Sequence, residues 1–236
     1  MKIINYDTSK RVTVEFLDDT HYKTTSSYGD IKRGNVRNPF QKIVYGVGIP
    51  GEKYDLKGKE YNAWINMLKR CYNTPHNSKN QTYFECFICN EWLYYPNFYE
   101  WLHKQENFEQ WLNDGFSLDK DILVKGNKFY SPERCCLVPM QINELFTKTN
   151  AKRGQYPIGV SFHKRDHVYE ANCCDPFSEK HQIYLGRYKT EFEAFNAYKN
   201  YKGKIIKRSA QEEYNKGNIT KKCYDAMMRY EVEITD

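Results

Sequence analysis

The stretch Pro157–Tyr198, PIGVSFHKRDHVYEANCCDPFSEKHQIYLGRYKTEFEAFNAY, carries the pattern that decides the fold. Three runs rich in β-branched and aromatic residues, Ile158–His163, Val168–Cys174 and Gln182–Tyr188, predict three short strands. The turn-prone segments Lys164-Arg165-Asp166 and Asp175-Pro176-Phe177-Ser178 separate them. Thr190-Glu191-Phe192-Glu193 then has the Thr-x-x-Glu form of a capping box, in which the two side chains satisfy free amides at a helix start. Beyond it Phe192, Phe195, Tyr198, Tyr201 and Ile205 recur along one side of a helix.

Charge is concentrated in the same region. The chain of 236 residues has 36 Lys and Arg against 30 Asp and Glu, which alone says little. Residues 148–222, however, hold 16 basic against 8 acidic side chains, while residues 1–147 hold 19 against 18. The positive field therefore sits where a phosphate backbone would be attracted.

The order Gly159-Val160-Ser161, Tyr169-Glu170-Ala171, Tyr184-Leu185-Gly186-Arg187-Tyr188 and Thr190–Tyr198 resembles the DNA-binding domain of plant ethylene-response factors (the Apetala type), and similar domains in phage homing-type nucleases. The resemblance covers roughly residues 156–210. It implies that one sheet face enters the major groove of double-stranded DNA while the helix packs behind it. Matching positions assigns DNA contacts to Ser161, His163, Lys164 and Arg165, to Glu170, Asn172 and the neighbouring Cys174, and to Tyr184 and Arg187. This chain has Ser161 and Cys174 where the family usually has arginines, and Tyr184 where it has tryptophan. Fewer bidentate guanine contacts are then available, so the target sequence should differ.

Upstream, residues 1–50 read as β, with Arg11–Phe16 alternating at period two, and Tyr45–Gly51 is a glycine-punctuated connector. Tyr61, Trp64, Ile65, Leu68 and Cys71 predict a helix over 59–71, and aromatic spacing over 92–102 and 108–112 predicts one or two more. A short hairpin over 118–139 and a helix over 140–146 follow. Polar segments after residue 73 and over 148–156 read as a loop and a linker, and residues 224–230 as a last short helix.

The landmarks Trp64, Arg70-Cys71-Tyr72, Cys89-Asn90-Glu91-Trp92, Leu118-Asp119-Lys120, Ser131-Pro132-Glu133-Arg134-Cys135 and Gln141-Ile142-Asn143 resemble phage HNH-type endonuclease-like proteins over about residues 61–146. That resemblance implies a ββα-metal site in which a histidine activates water and oxygen or nitrogen ligands hold one divalent ion. Here Asp119-Lys120 replaces the Asp-His of the pattern, and Arg134 stands where an asparagine would. Asp119, Lys120 and Asn143 remain as the catalytic candidates, and Asp119, Asp121 and Asn143 as ligands for Mg²⁺ or Mn²⁺. Lysine is protonated at neutral pH and is a poor water-activating base. The substitutions suit a phosphate better than a cation.

Cys71, Cys86, Cys89 and Cys135 offer four thiolates for a structural Zn²⁺, but a second Cys-x-x-Cys pair is absent and buried reduced thiols are the plainer reading. No window reaches the ~20 apolar residues of a membrane span, and Met1–Asn5 lacks a signal-peptide pattern. The expectation is an α+β protein with a small N-terminal β-barrel-like module over 1–54 and a central HNH-like, degenerate ββα-metal domain over 58–147. A three-stranded antiparallel sheet packed on one helix over 155–210, and a helical tail over 211–236, complete it. Its expected role is that of a phage or mobile-element protein binding double-stranded DNA without efficient cleavage, in the cytoplasm of the bacterial host and at the nucleoid. A metal-dependent homing-type endonuclease, and an effector binding a host defence or replication protein, are the alternatives.

Overall fold

A computed structural model describes residues 1–73, 85–147 and 155–234. The expected loop after residue 73 and most of the linker over 148–156 lie outside the described residues. The chain is α+β and forms two compact units, Met1–Lys104 with Phe129–Ser131, and Gln105–Lys128 with Pro132–Asp236. The segment read as one central domain contributes to both.

In the first unit β1 (Lys2–Thr8), β2 (Arg11–Glu15) and β3 (Lys23–Ser26) form an antiparallel sheet in that order. The alternation in β2 works as its pattern requires: Val12 and Val14 are fully buried while Arg11 is exposed. Three strands with two edges make an open sheet, so the barrel expected here does not close. Ser27 caps α1 (Tyr28–Arg33).

The core of this unit is aromatic. Helix α2 (Lys59–Tyr72) buries Trp64, Met67, Leu68 and Cys71, the i, i+3, i+4, i+7 stripe of an amphipathic helix. They meet Trp92, in a 3₁₀ turn over Asn90–Leu93, and Tyr95, Phe98 and Leu102 of α3 (Tyr95–His103). The buried Trp64 indole Nε1 donates to the Trp92 carbonyl at 2.6 Å, which satisfies its one polar atom. The connector 45–51 is packed in place: Ile49 N donates to Leu93 O at 2.8 Å. A Cβ on Gly48 would stand 2.6 Å from Leu68 Cδ1, so this close approach requires glycine.

Four short strands follow: β4 (Phe87–Ile88), β5 (Ser117–Asp119), β6 (Phe129–Tyr130) and β7 (Cys136–Val138). The expected hairpin survives only as the antiparallel pair β5–β7; Phe129–Tyr130 instead pairs in parallel with β4, in the first unit. Parallel partners distant in sequence leave no local signal, which is why the run beginning at Tyr130 read as continuous with β7.

The second unit adds α4 (Phe108–Asn113), α5 (Met140–Phe146), β8 (Val160–His163), β9 (Val168–Cys174), β10 (Gln182–Tyr188), α6 (Glu191–Asn215) and α7 (Lys221–Arg229). The three strands are antiparallel in the order β10-β9-β8, and α6 packs against all of them. Both halves of the expected capping box are formed: Glu193 N donates to Thr190 Oγ1 and Thr190 N to Glu193 Oε2. Ala171 on β9 and Ala194 on α6 are fully buried, and small side chains permit close helix–sheet contact. Farther along, Ile205, Ile206 and Ala210 join one core with Val138, Ile142, Cys223 and Met227. The residues read as a separate tail are therefore part of this core.

Gly159, just before β8, has φ +75°, and the Tyr198 ring fills the space a Cβ would need. Gly159→Ala should destabilise the fold by roughly 2–3 kcal/mol, through backbone strain and overpacking together. Urea denaturation followed by far-UV circular dichroism measures this; a loss below about 0.5 kcal/mol, the usual scatter of a surface substitution, would mean that the Tyr198 ring yields to the added methyl.

Candidate nucleic-acid interface

Strand pairing brings Ser161, Glu170, Asn172, Tyr184 and Arg187, side chains expected to touch DNA, onto one face of the C-terminal sheet. Ser161 pairs with Glu170, and Glu170 with Arg187, making one row across all three strands. Asn172 pairs with Tyr184 in the next row, and Cys174 with Gln182 beyond it. The opposite face carries Ala171 and Cys173, both buried toward the helix. Tyr184 is 55% exposed, unusual for a large aromatic in a packed sheet.

Arg187 reaches this face through a backbone irregularity. Residues three apart in a regular strand point to opposite sides, so Tyr184 and Arg187 would be separated. The register shift between Tyr184 and Gly186 inserts one residue and turns Arg187 outward. Gly186 holds φ +127°, a conformation that L side chains rarely adopt.

The arginine is held by carboxylates. Its Nε donates to Glu170 Oε1 at 2.9 Å and its Nη1 to Asp166 Oδ2 at 2.7 Å. Glu170, then Tyr184 and Asp166, raise the guanidinium pKa, so the group stays a cation. Asp166 also lies 3.4 Å from His163 Nδ1 and 3.8 Å from Arg165 Nε. The His163 nitrogen, although buried, makes no hydrogen bond among the described residues. Lys164 and Arg165 lie in the turn at the end of β8, with the Arg165 side chain 91% exposed. Of the participants here, Asp166 and Gly186 carry no expected role in the sequence. A glycine inside a strand pattern is itself a bulge signal, whereas an aspartate in a basic turn gives no such sign.

Two of the three residues expected to cut DNA, Asp119 and Lys120, are engaged in holding a loop. Asp119, at the end of β5, is buried, and its Oδ1 accepts the amides of Asp121 and Ile122 at 2.8 and 2.7 Å. Lys120 is buried as well. Its Nζ donates to both Asp121 oxygens, at 2.8 and 2.7 Å, and to the Asn127 carbonyl at 2.8 Å. Asn127 returns a bond from Nδ2 to Lys120 O at 2.8 Å, and Arg134 Nη1 donates to Asn127 Oδ1 at 3.3 Å. Helix α5, which carries Asn143, packs on β5, but among the described residues the Asn143 side chain hydrogen-bonds neither aspartate.

Among the described residues no group of three or more His, Cys, Asp or Glu side chains is arranged to hold a metal. Of the cysteines expected as zinc candidates, Cys71 lies on the apolar stripe of α2, and Cys86, Cys89 and Cys135 are buried. None of the eight cysteines is in a disulfide. No helix among the described residues is long and apolar enough to cross a membrane. Comparison with protein families, curated proteins and solved structures finds no match to this chain.

Burial raises the Asp119 pKa from 3.8 to about 6, assisted by the charge of Asp121 and opposed by the Ile122 and Asp121 amides and by Lys120. The native state thus binds this proton more tightly than the unfolded chain does. The associated stability is fully present below about pH 4 and is lost as pH rises through 6. Asp119→Asn keeps an acceptor for both amides and should remove roughly 2–3 kcal/mol of pH-dependent change between those limits. Denaturation midpoints measured from acid to neutral pH would contradict this if wild type and variant kept parallel slopes.

Proposed function

We propose that this protein binds double-stranded DNA through the open face of its C-terminal sheet and does not cut it efficiently. The observation that carries the reading is the row Ser161–Glu170–Arg187 with Asn172 and Tyr184 beside it, polar groups aligned on the face opposite the helix. A sheet of this width fits a major groove, and its mixed donors and acceptors match base edges better than a purely cationic patch would. Arg187, steadied by Glu170 and Asp166, offers a fixed guanidinium for a guanine edge. Arg165 and Lys164 at the turn are suited to phosphates. The resemblance to ethylene-response-factor domains, and the charge excess over 148–222, support the same reading. A phage or mobile-element origin belongs to the proposal as well.

The weak-cleavage part rests on the loop around Asp119. Lys120 stands where a water-activating histidine would be needed, and its ammonium is bonded to Asp121 and Asn127. Asp121 is thereby paired with a cation rather than left for one.

Fluorescence anisotropy on a selected duplex separates the roles. Arg165→Ala should weaken binding to all sequences alike and lower the salt slope by about one. Arg187→Ala should cost about 1–3 kcal/mol on the preferred site and relax its selectivity. Gly186→Ala should mimic Arg187→Ala, since an unbulged strand turns the arginine inward. Unchanged affinity and salt slope in the Arg165→Ala/Arg187→Ala double variant would remove the sheet from the binding site. Supercoiled plasmid with Mg²⁺ or Mn²⁺ should stay intact; nicking abolished by Asp119→Ala would establish a nuclease instead.

A further inference from the structure

β1 is an edge strand of the N-terminal sheet, and every residue from Lys2 to Thr8 is exposed. Its apolar side chains are exposed with the rest: Ile3 by 44%, Ile4 by 41% and Tyr6 by 54%. Tyr28, itself 45% exposed, extends the patch from 6.1 Å away between ring centroids. An edge of this kind presents outward-facing amides and carbonyls to any strand that can pair with it.

The faces of β1 are sorted by an irregularity. Ile3 lies opposite Val14 and Tyr6 opposite Val12, so the register shift between Ile3 and Asn5 brings Ile3 and Tyr6 to one face. Lys2 and Asn5 lie opposite Glu15 and Thr13 on the other face. Asp7 is drawn to that second face by Asn5 Nδ2 at 2.9 Å and Arg11 Nε at 3.5 Å.

We propose that β1 is a dimerisation edge, pairing antiparallel with β1 of a second copy about a twofold axis between Ile4 and Asn5. In this register Lys2 of each copy faces Asp7 of the other on one side of the joined sheet. Ile3 faces Tyr6 on the other side, and the axis makes each pair occur twice. A slip of one residue sets Lys2 against Tyr6 or Thr8 and Ile3 against Asn5 or Asp7, which discards both complementarities. The charges therefore point to a second copy of the chain as the occupant. The inference is independent of the DNA-binding reading.

Analytical ultracentrifugation of the full chain tests it. Wild type should dimerise reversibly at tens of micromolar or below. Lys2→Asp and Asp7→Lys each convert two attractions into two repulsions and should weaken the dimer by about tenfold. The combined variant Lys2→Asp/Asp7→Lys restores opposite charges across the axis and should recover the wild-type dimer. Thermal melting of each variant verifies that the fold is kept. A wild type that stays monomeric at tens of micromolar, single variants that dimerise undiminished, or a double variant as weak as the singles would each overturn the proposal.

Discussion

Helix α6 in the second unit has to bury one continuous apolar stripe, and its 25 residues are too long for the three-stranded sheet alone to cover. Its first turns bury Ala194, Phe195 and Tyr198, where the helix meets the sheet. Its later turns carry Ile205, Ile206 and Ala210 into a core shared with β7, α5 and α7. The sheet's helix-facing side is thereby closed to water and its opposite side left open. Polar atoms drawn into this packing are satisfied: the buried Glu213 receives Lys216 Nζ and Asn218 Nδ2, both at 2.7 Å. A buried carboxylate without such partners would destabilise the same core.

The open face combines one arginine, two carboxylates, an asparagine and a tyrosine. Surface ion pairs of this exposure contribute little to stability, so the Glu170–Arg187–Asp166 contacts matter chiefly for where the guanidinium points. A side chain with many rotamers loses entropy when it is fixed by a ligand, and carboxylates that fix it beforehand lessen that loss. In the proposed role the acidic residues thus orient the contact, while attraction to phosphate falls to the exposed cations of the turn.

The central segment shows how a catalytic-looking order of residues can be held by structural demands. Asp119 caps a turn, as aspartates in tight loops commonly do, and Lys120 bridges the loop from Asp121 to Asn127. A buried ammonium needs anionic or carbonyl partners, and this one has both. The aromatic and cysteine landmarks of this segment, among them Trp64, Cys71, Cys89, Trp92 and Cys135, supply core volume in the two units.

Sequence by itself determined what depends on local physics. Period-two runs and turn residues marked β8, β9 and β10, the Thr190–Glu193 pair marked the start of α6, and helical spacing marked Trp64 to Cys71. Alternation along β8 and β9 also assigns Ser161, Glu170 and Asn172 to one face, whereas Arg187 breaks it. Tertiary structure alone decided the features that require a partner distant in the chain. The bulge at Gly186 turns Arg187 outward only because β9 fixes the register, and Phe129–Tyr130 leaves its expected hairpin because β4 offers it a parallel edge. Lys120 acquires its role from Asn127, and the residues beyond 210 join the core because α6 still has apolar surface to bury. Periodicity records which side chains avoid water, but not which of several apolar surfaces they will meet; only closure of the fold makes that choice.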